Sequence, residues 1–370
     1  MLYTTHQPAR RRPARTGLLV AGLTTSIALV LASCASESSQ DDATGETSGT
    51  SGTSGTVTVV VHDSIIISDE SKAAFEEESG LTLEVVSAGD GGALANQLVL
   101  TKDSPLGDVA YGIDNSFASR AVEEGVFAPY TSPEQGELSA QLAADPSGTL
   151  TAVDYGDVCM NVDTAWFDEN GVLEPATLDD LTMPVYEDLT VVSNPATSSP
   201  GLAFLFATIG AYGDDYLEYW QKLSDNGLLV VTGWEEAYQT EFTAGEGDGA
   251  RPIVLSYASS PAYTVSEDGS TTTTTAMLGT CFRQVEYAGV LEGAENPEGA
   301  QQVVDFLLGE QFQSTIATNM YVYPVDPDAE IPVEWVDFAP LPENPIVLDP
   351  TEISENRDQW IEDWTATVIG

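Results

Sequence analysis

The segment VLSYASSPAY, residues 254–263, places two tyrosine rings six residues apart where a strand-like run meets a turn. Val254 and Leu255 are apolar, and the serines and proline between Tyr257 and Tyr263 favour a turn. An aromatic face attracts a desolvated organic cation by about 0.5–2 kcal/mol. Because the same rings also fill protein cores, the spacing alone leaves packing and ligand binding both open.

Acid–base and metal chemistry have few residues to draw on in this chain. His6 lies in the basic N-terminal segment, so any Ser–His or Cys–His catalysis would have to run through His62. The sequence has no HExxH, Walker or CxxC motif, and its histidine and cysteine counts exclude a metal site built from those residues. An enzyme that uses His62 with Asp63 is the weakest alternative, because no partnered nucleophile is evident. We expect no catalytic, metal or cofactor site.

The charge is extreme, with 59 acidic against 11 basic residues and a formal net charge of -48. Such a field repels phosphate backbones, so we discount nucleic acid as a partner. It is typical of a surface that stays soluble in salt, which is a simpler explanation than a specific polycationic partner.

The N-terminus predicts export. A basic stretch precedes the apolar run LLVAGLTTSIALVLAS at residues 18–33, which is short for a membrane span and suits a signal peptide. The run ends in Leu-Ala-Ser-Cys, which resembles a bacterial lipobox and predicts lipidation of Cys34. The polar, glycine-rich residues that follow predict a flexible tether at 34–56 after a signal peptide at 1–33. The alternative is an uncleaved anchor helix, and either route holds the protein at the outer face of a membrane.

Two cysteines remain after Cys34. Cys159 and Cys281 both lie in strand-like surroundings, and outside the cytoplasm a leftover pair more often forms a disulfide. A disulfide requires two strands that are distant in sequence to be neighbours in space. The alternative is two separate buried thiols.

The first part of the chain alternates strand and helix patterns. Strands are predicted at 56–67, 81–88 and 107–114, and helices at 68–80, 93–100 and 115–127. This order predicts a parallel sheet with right-handed crossovers, in which ligands bind at the carboxyl ends of the strands. The residues expected along that rim are His62, Asp63, Ser64, the turn at 89–92, Asp114 and Asn115.

The same alternation then restarts. Strands are predicted at 150–163, 189–195, 252–257 and 281–291, and helices at 198–213, 214–227, 297–312 and 350–368. Residues 228–247 are predicted to form a strand, a turn and a helix in that order. Two strands, near 154–158 and 282–289, are the candidate connections between two lobes, and two connections make a hinged cleft. We therefore predict an α/β fold with lobe 1 at 57–157, lobe 2 at 158–283, and a return to lobe 1 with C-terminal helices at 284–370. An exported protein of this form without catalytic motifs is typical of a solute receptor.

Ten short motifs in order strengthen that interpretation. They are HDS (62–64), GDGGALANQL (89–98), GDVAYGIDN (107–115), DYGDVC (154–159), NPATSSPGLAFL (194–205), TGWEEAY (232–238), LSYASSPAY (255–263), QVEYAGV (284–290), YVYPV (321–325) and RDQWIEDW (357–364). In these motifs the chain resembles the thiamine-binding proteins of bacterial ABC importers, which have the type II periplasmic binding protein fold. The resemblance covers nearly the whole chain after the tether.

The resemblance implies that stacked aromatic rings hold thiamine in the cleft between the lobes. It assigns that role to Trp234, Tyr257 and Tyr263. The family usually has a tyrosine where this chain has His62, which is smaller and can carry charge. It also often has an arginine where this chain has Ala196, which weakens the case for a preference for thiamine phosphates.

The polar end of the ligand is assigned by the same resemblance to two turns before helices. One turn contains Asp90 and Gly91, and the other contains Thr197, Ser198 and Ser199. Free N–H groups at helix N-termini attract anions, although ordinary capping explains the same residues. Because Asp90 would repel a dianion, we favour thiamine over its phosphates.

Two aspartates at strand ends complete the expected site. Asp63 and Asp114 each have a carboxylate that would accept from the aminopyrimidine or balance the thiazolium charge. The alternative for both is capping of the following helix.

The resemblance implies a monomeric receptor that binds thiamine and delivers it to the permease of an ABC importer, with thiamine phosphates as the alternative ligands. Ferric-ion binding within the same fold is the principal alternative. Iron-binding members of the fold tend to carry adjacent tyrosines, whereas Tyr257 and Tyr263 are six residues apart.

Overall fold

The computed structural model describes residues 55–144 and 147–370. The strands in this part of the chain are β1 (Thr56–Val61), β2 (Thr82–Ser87), β3 (Val109–Asp114), β4 (Thr151–Asp163), β5 (Thr190–Ser193), β6 (Leu229–Val231), β7 (Ile253–Tyr257), β8 (Thr274–Ala276), β9 (Phe282–Val290) and β10 (Tyr323–Pro324). The helices are α1 (Asp69–Ser79), α2 (Gly91–Leu100), α3 (Ala118–Glu123), α4 (Glu137–Gln141), α5 (Thr164–Asn170), α6 (Ser199–Tyr212), α7 (Tyr216–Asp225), α8 (Pro297–Leu308), α9 (Glu310–Met320), α10 (Trp335–Phe338) and α11 (Pro350–Val368).

Two groups of parallel strands form the ends of the sheet. β1 lies between β2 and β3 and pairs in parallel with both, while β5 pairs in parallel with β6 and β7. Parallel neighbours need crossover connections, which α1, α2, α6 and α7 help to provide. Each group with its helices forms one lobe, so the predicted two-lobed α/β architecture is confirmed.

Two long antiparallel strands join the lobes. The first half of β4 pairs with β9, and its second half pairs with β7 and β8. β9 also pairs with β3, so it reaches the first parallel group. The predicted connections at 154–158 and 282–289 lie in these two strands, which form the base of the cleft between the lobes.

The tryptophans of the C-terminal helix pack on helices of the second lobe. Trp364 of α11 lies against Trp220 of α7 with ring centroids 5.5 Å apart, and Trp360 lies against Phe206 of α6 at 5.8 Å. Trp220 and Trp364 are both fully buried. The prediction gave residues 284–370 as the return to lobe 1 with C-terminal helices, and that division stays a prediction. Besides these contacts with α6 and α7, Ser354 of α11 donates to Glu123 and Arg357 lies over the ring of Phe117 in the first lobe.

Several element bounds differ from the predictions for local reasons. β1 ends at Val61 because the backbone turns there, and the N–H of Ile65 donates to the carbonyl of His62. The expected helix at 297–312 is two helices, since Gly309 adopts an extended conformation between α8 and α9. The helix expected at 115–127 shortens to α3, because a turn held by Asp114 precedes it.

Among residues 55–144 and 147–370, no helix combines the length and the apolar character needed to cross a bilayer. The predicted signal peptide at 1–33, Cys34 and nearly all of the predicted tether at 34–56 lie outside the described residues.

Candidate functional site

The predicted rim at the carboxyl ends of β1, β2 and β3 is present. The N–H of Asp63 donates to the carbonyl of Gly89 at 3.0 Å, which joins the ends of β1 and β2. The N–H of Asn115, just after β3, donates to the carbonyl of Val285 on β9 at 3.1 Å. The rim therefore borders the strand that connects the lobes.

Two adjacent cavities open beside this rim. The inner one has a volume of about 50 Å³ and the outer one about 260 Å³. They share the lining residues Ser64, Trp234, Ser260, Met320 and Tyr321. Of the predicted site residues, the inner cavity is lined by His62, Ser64, Asp90, Ser199, Trp234 and Tyr257, and the outer one by Asp63, Ser64, Trp234 and Tyr263.

A continuous series of aromatic rings follows the two cavities. Trp234 packs edge-on against Tyr257 with ring centroids 6.3 Å apart and stacks on Tyr238 at 5.3 Å with 16° between the planes. Tyr238 contacts Tyr263, which in turn contacts Tyr321 at 5.3 Å. The two tyrosines of VLSYASSPAY thus belong to one series but lie at its inner and outer parts, with Trp234 between them.

The local backbone explains where Trp234 lies. Glu236–Glu241, directly after it, forms a π-helical turn, a distortion that often occurs at functional sites. The indole Nε1 donates to Ser256 Oγ on β7 at 2.9 Å. This bond fixes the plane of the indole ring relative to the ring of Tyr257. The orientation of these two rings therefore does not depend on a flexible loop.

His62 is paired with a carboxylate at the base of the cleft. Its Nε2 lies 3.1 Å from Glu286 Oε1, and its Nδ1 accepts the N–H of Ser64 at 3.2 Å. Burial lowers the pKa of His62, but the charge and hydrogen bond of Glu286 outweigh it and raise that pKa to about 9. Because the N–H of Ser64 points at Nδ1, it disfavours protonation of that nitrogen and so acts against the effect of Glu286. It also fixes the orientation of the imidazole ring.

Further polar groups lie behind Glu286. Gln284 Nε2 donates to Glu286 Oε1 at 2.9 Å, and the hydroxyl of Tyr111 donates to Asp154 Oδ2. Burial and the nearby charge of Glu286 hold the pKa of Asp154 well above its usual value. Asp154 itself does not line the inner cavity, whereas Glu286 and Asp90 do.

Asp90 connects the two lobes. Its Oδ1 accepts the N–H of Ser199 at 3.0 Å and of Gly91 at 2.5 Å, and its Oδ2 accepts the N–H of Trp234 at 2.8 Å. Burial raises the pKa of Asp90. The hydrogen bonds from the N–H groups of Trp234 and Ser199 and the charge of His62 act in the opposite direction and lower it. The carboxylate thus lies at the N-termini of α2 and α6 while it lines the inner cavity.

The remaining polar-end residues contact protein groups. Thr197 Oγ1 donates to the carbonyl of Thr232, and Ser198 Oγ donates to Ser193 Oγ while accepting from the N–H of Gly201. Thr197, Ser198 and Gly91 do not line either cavity. In this conformation they cap and join helices, and their contact with a ligand stays a prediction.

Asp114 is fully buried and also does not line the cavities. Its Oδ1 accepts the N–H groups of Ser116 at 2.7 Å and Phe117 at 3.2 Å, which is the capping alternative raised from the sequence. Burial is the main cause that raises the pKa of Asp114 to about 6. Asp63, by contrast, is exposed at the mouth of the outer cavity.

The predicted disulfide between Cys159 and Cys281 is confirmed. It joins β4 to the residue just before β9, so it ties together the two strands that connect the lobes. In the part of the chain that the structure describes, no group of three or more histidine, cysteine or acidic side chains is placed to hold a metal ion.

Sequence reasoning assigned no role to several lining residues. Glu286 lies in the quoted motif QVEYAGV and Tyr321 in YVYPV, but neither received a function. The signal for Glu286 was a carboxylate inside an apolar strand, where an unpaired charge is costly. Tyr238 of TGWEEAY also received no function, although it comes four positions after Trp234 on a helical turn.

The chain was compared with known protein families and structures. The profile of the family described as bacterial extracellular solute-binding protein matches residues 104–343. The thiamine-binding periplasmic protein of Escherichia coli (strain K12) is 30% identical over 303 residues, or 80% of this chain and 87% of that protein. The protein of the same name from Brucella melitensis is 30% identical over 317 residues, which cover 84% of this chain and 91% of the relative.

Solved structures agree on the fold. A periplasmic thiamin binding protein superposes with a TM-score of 0.74 at 29% identity, covering 85% of this chain and 96% of that one. Iron-bound HitA from Pseudomonas aeruginosa gives a TM-score of 0.65 at 21% identity over 84% of this chain and 99% of its own, which supports the fold alone. The fold, the cleft and the extent of the family match show that the chain belongs to the bacterial extracellular solute-binding protein family.

Proposed function

We propose that this protein is an extracytoplasmic receptor that binds thiamine in the cleft between its lobes and delivers it to an ABC permease. The observation that carries the proposal is the combination of one aromatic series with buried carboxyl groups in the same cavity. Trp234 and Tyr257 line the same cavity as Glu286. Relatives at 30% identity over most of their length are named thiamine-binding periplasmic proteins.

The chemistry of thiamine suits these groups. Its thiazolium ring carries a permanent positive charge, and its pyrimidine is flat and hydrogen-bonding. Aromatic faces bind such a cation, each contact contributing about 0.5–2 kcal/mol when desolvated. The inner cavity is lined by two acids, Asp90 and Glu286, and one base, His62, so the acids outnumber the base and complement the positive charge. The outer cavity gives Tyr238 and Tyr263 as further aromatic faces.

Delivery requires the receptor to be exported and to open and close. We infer a lipid anchor at Cys34 on the outer face of the membrane, a monomeric receptor, and hinge motion in β4 and β9. The boundaries 57–157, 158–283 and 284–370 remain the proposed division of the chain, and α11 contacts helices of both lobes. Family membership supports a binding role, and we propose that the protein has no catalytic activity and that thiamine is cargo rather than cofactor.

Native mass spectrometry of freshly purified protein tests the proposal without a choice of ligand in advance. We expect a bound species with the mass of thiamine that is lost on mild denaturation. A ferric ion, detected by mass, by colour and by loss of colour with a chelator, would instead support the alternative within the same fold. Protein that carries no thiamine and does not take it up when it is added would contradict the proposal.

A further inference from the structure

We propose that the hydroxyl of Tyr238 and the side-chain amide of Gln239 select the ligand by its amino-substituted pyrimidine edge, with that ring in the outer cavity. The proposal rests on the proposed function and names two residues that determine specificity in the same cleft. The aminopyrimidine of thiamine presents an exocyclic amino group, which donates, beside a ring nitrogen, which accepts. A site that recognises this edge needs one acceptor and one donor side by side.

Two buried polar atoms of the outer cavity have no hydrogen-bond partner. Among the described residues that line this cavity, they are the hydroxyl oxygen of Tyr238 and Oε1 of Gln239. An unpaired polar atom is costly to bury, so such atoms are rare in folded proteins and each calls for an explanation. Because both belong to the lining of a ligand cavity, we assign their missing partners to the ligand.

The helical turn after Trp234 explains why two consecutive residues line the cavity. The N–H of Phe242 donates to the carbonyl of Ala237, five residues earlier, at 3.0 Å, as in a π-helical turn. In an α-helix the neighbours on one face are three or four positions apart, whereas the wider π turn brings the fifth position round to that face. Tyr238 and Gln239 are the fourth and fifth positions after Trp234, and all three line the outer cavity.

The hydroxyl of Tyr238 is the donor of the pair. Burial raises the pKa of Tyr238, and the nearby phenol groups of Tyr263 and Tyr321 raise it further, so the hydroxyl keeps its proton. The ring stacks on Trp234 with centroids 5.3 Å apart, which fixes its position beside the cavity. A hydroxyl hydrogen rotates to suit its acceptor, so this group is able to donate to a ring nitrogen of the ligand.

The side-chain amide of Gln239 supplies the acceptor. Its backbone is held in place, because its carbonyl accepts the N–H of Gly247 at 2.7 Å. Its side chain is half-buried, and the torsion that orients a glutamine amide is broad. Oε1 therefore turns toward an amino group in the cavity without a change of the backbone.

The other polar groups of the outer cavity are less selective. Asp63 and Glu235 are exposed at its mouth, so an amino group that binds them exchanges one solvated hydrogen bond for another. The hydroxyl of Tyr263 already donates to Glu246 at 2.8 Å. Discrimination therefore depends on the buried pair, because a ligand without the amino group leaves Oε1 of Gln239 unpaired.

Calorimetric titration with thiamine and with an analogue in which hydrogen replaces the exocyclic amino group tests the role of Gln239. We expect the wild type to bind the analogue at least about tenfold more weakly than thiamine. Gln239→Leu should bring the two dissociation constants within about threefold of each other, whereas Gln239→Glu keeps an acceptor and should retain the preference. Gln221→Leu is the matched control, because Gln221 is exposed on α7 and lines neither cavity.

The hydroxyl of Tyr238 has a separate test. Tyr238→Phe keeps the ring and removes only the donor, so we expect thiamine affinity to fall by about 2–10-fold. Tyr219→Phe is the matched control, because the hydroxyl of Tyr219 is also buried without a partner but lies on α7, away from both cavities. Its thiamine affinity should equal that of the wild type.

Each outcome decides a different statement. Equal affinity for thiamine and the analogue in the wild type would overturn the proposal and leave the proposed function standing. A preference that Gln239→Leu does not reduce, or that Gln221→Leu reduces as much, would overturn the assignment to Gln239. An affinity for thiamine that Tyr238→Phe leaves unchanged, or that Tyr219→Phe lowers as much, would overturn the assignment to Tyr238. Binding of neither compound would reject the proposed function and this proposal together.

Discussion

The carboxylate of Asp90 accepts the backbone N–H of Trp234 at 2.8 Å, which joins the start of α2 in one lobe to the aromatic series of the other. The same carboxylate accepts the N–H of Ser199 at the start of α6. Both donors come from the lobe opposite to Asp90. These bonds join the two sides of the cleft, and Asp90 also lines the inner cavity, so we expect this residue to serve both closure and ligand binding.

Removal of this carboxylate should weaken ligand binding. Hydrogen bonds to a charged group contribute about 1.5–3 kcal/mol each, and Asp90→Ala removes two that hold the cleft closed. Together the two bonds are worth about 3 kcal/mol or more, so we expect thiamine affinity to fall by at least about 100-fold in calorimetry. The Asp90→Asn variant keeps one acceptor oxygen and should lose less, whereas equal affinity in wild type and Asp90→Ala would show that these bonds do not control closure.

Trp234 should be the aromatic residue on which affinity depends most. It lines both cavities and contacts Tyr257 and Tyr238. Trp234→Ala should cost more than about 1.4 kcal/mol of binding, a tenfold weaker dissociation constant, while Trp234→Phe should retain part of the stacking. Trp360→Ala is the control, because Trp360 packs on Phe206 away from the cavities and should lower the melting temperature without changing affinity. An unchanged affinity in Trp234→Ala would remove this residue from the site.

The pairing of His62 with Glu286 predicts a pH dependence of stability. The pair raises the pKa of His62 from 6.5 to about 9, so the folded state holds this proton more tightly than the unfolded state. The resulting stabilisation is fully present below pH 6.5 and is lost as the pH rises through about 9. Urea titrations should show the free energy of unfolding fall by about 1–3 kcal/mol over that window. His62→Gln should abolish this part of the slope, and an identical slope in both proteins would contradict the assignment.

The disulfide should stabilise the fold without forming part of the site. Cys159 and Cys281 are 122 residues apart in sequence and buried, so their bond restricts a long loop of the unfolded chain. The Cys159→Ala and Cys281→Ala double variant should lose about 2–5 kcal/mol in urea unfolding. Its thiamine affinity should stay within about threefold of wild type, because neither sulfur lines a cavity. A tenfold loss of affinity would instead show that the bond sets the hinge geometry needed for binding.

The rim of the site was predictable because it follows from local rules. Alternating strands and helices fix parallel pairing, and parallel pairing brings His62, Gly89 and Asn115 to one edge of the sheet. The disulfide was predictable from export and an even count of remaining cysteines. These inferences need no knowledge of which side chains meet across the cleft.

The partners across the cleft were not predictable from local sequence. Glu286 comes 224 residues after His62, and the antiparallel pairing of β9 with β3 and β4 alone brings the two together. Asp90, in one of the two turns before helices, was expected to face a ligand. Its carboxylate oxygens instead accept the backbone N–H groups of Ser199 and Trp234, because the helix ends touch. Long-range register and lobe closure decide these contacts.

Titration of the ligand-free, refolded protein with thiamine in an isothermal calorimeter tests the central claim most directly. We expect one binding site per chain and a dissociation constant below micromolar, roughly -8 kcal/mol or better. The absence of binding heat with thiamine, its monophosphate and its diphosphate, in protein that unfolds cooperatively, would contradict it.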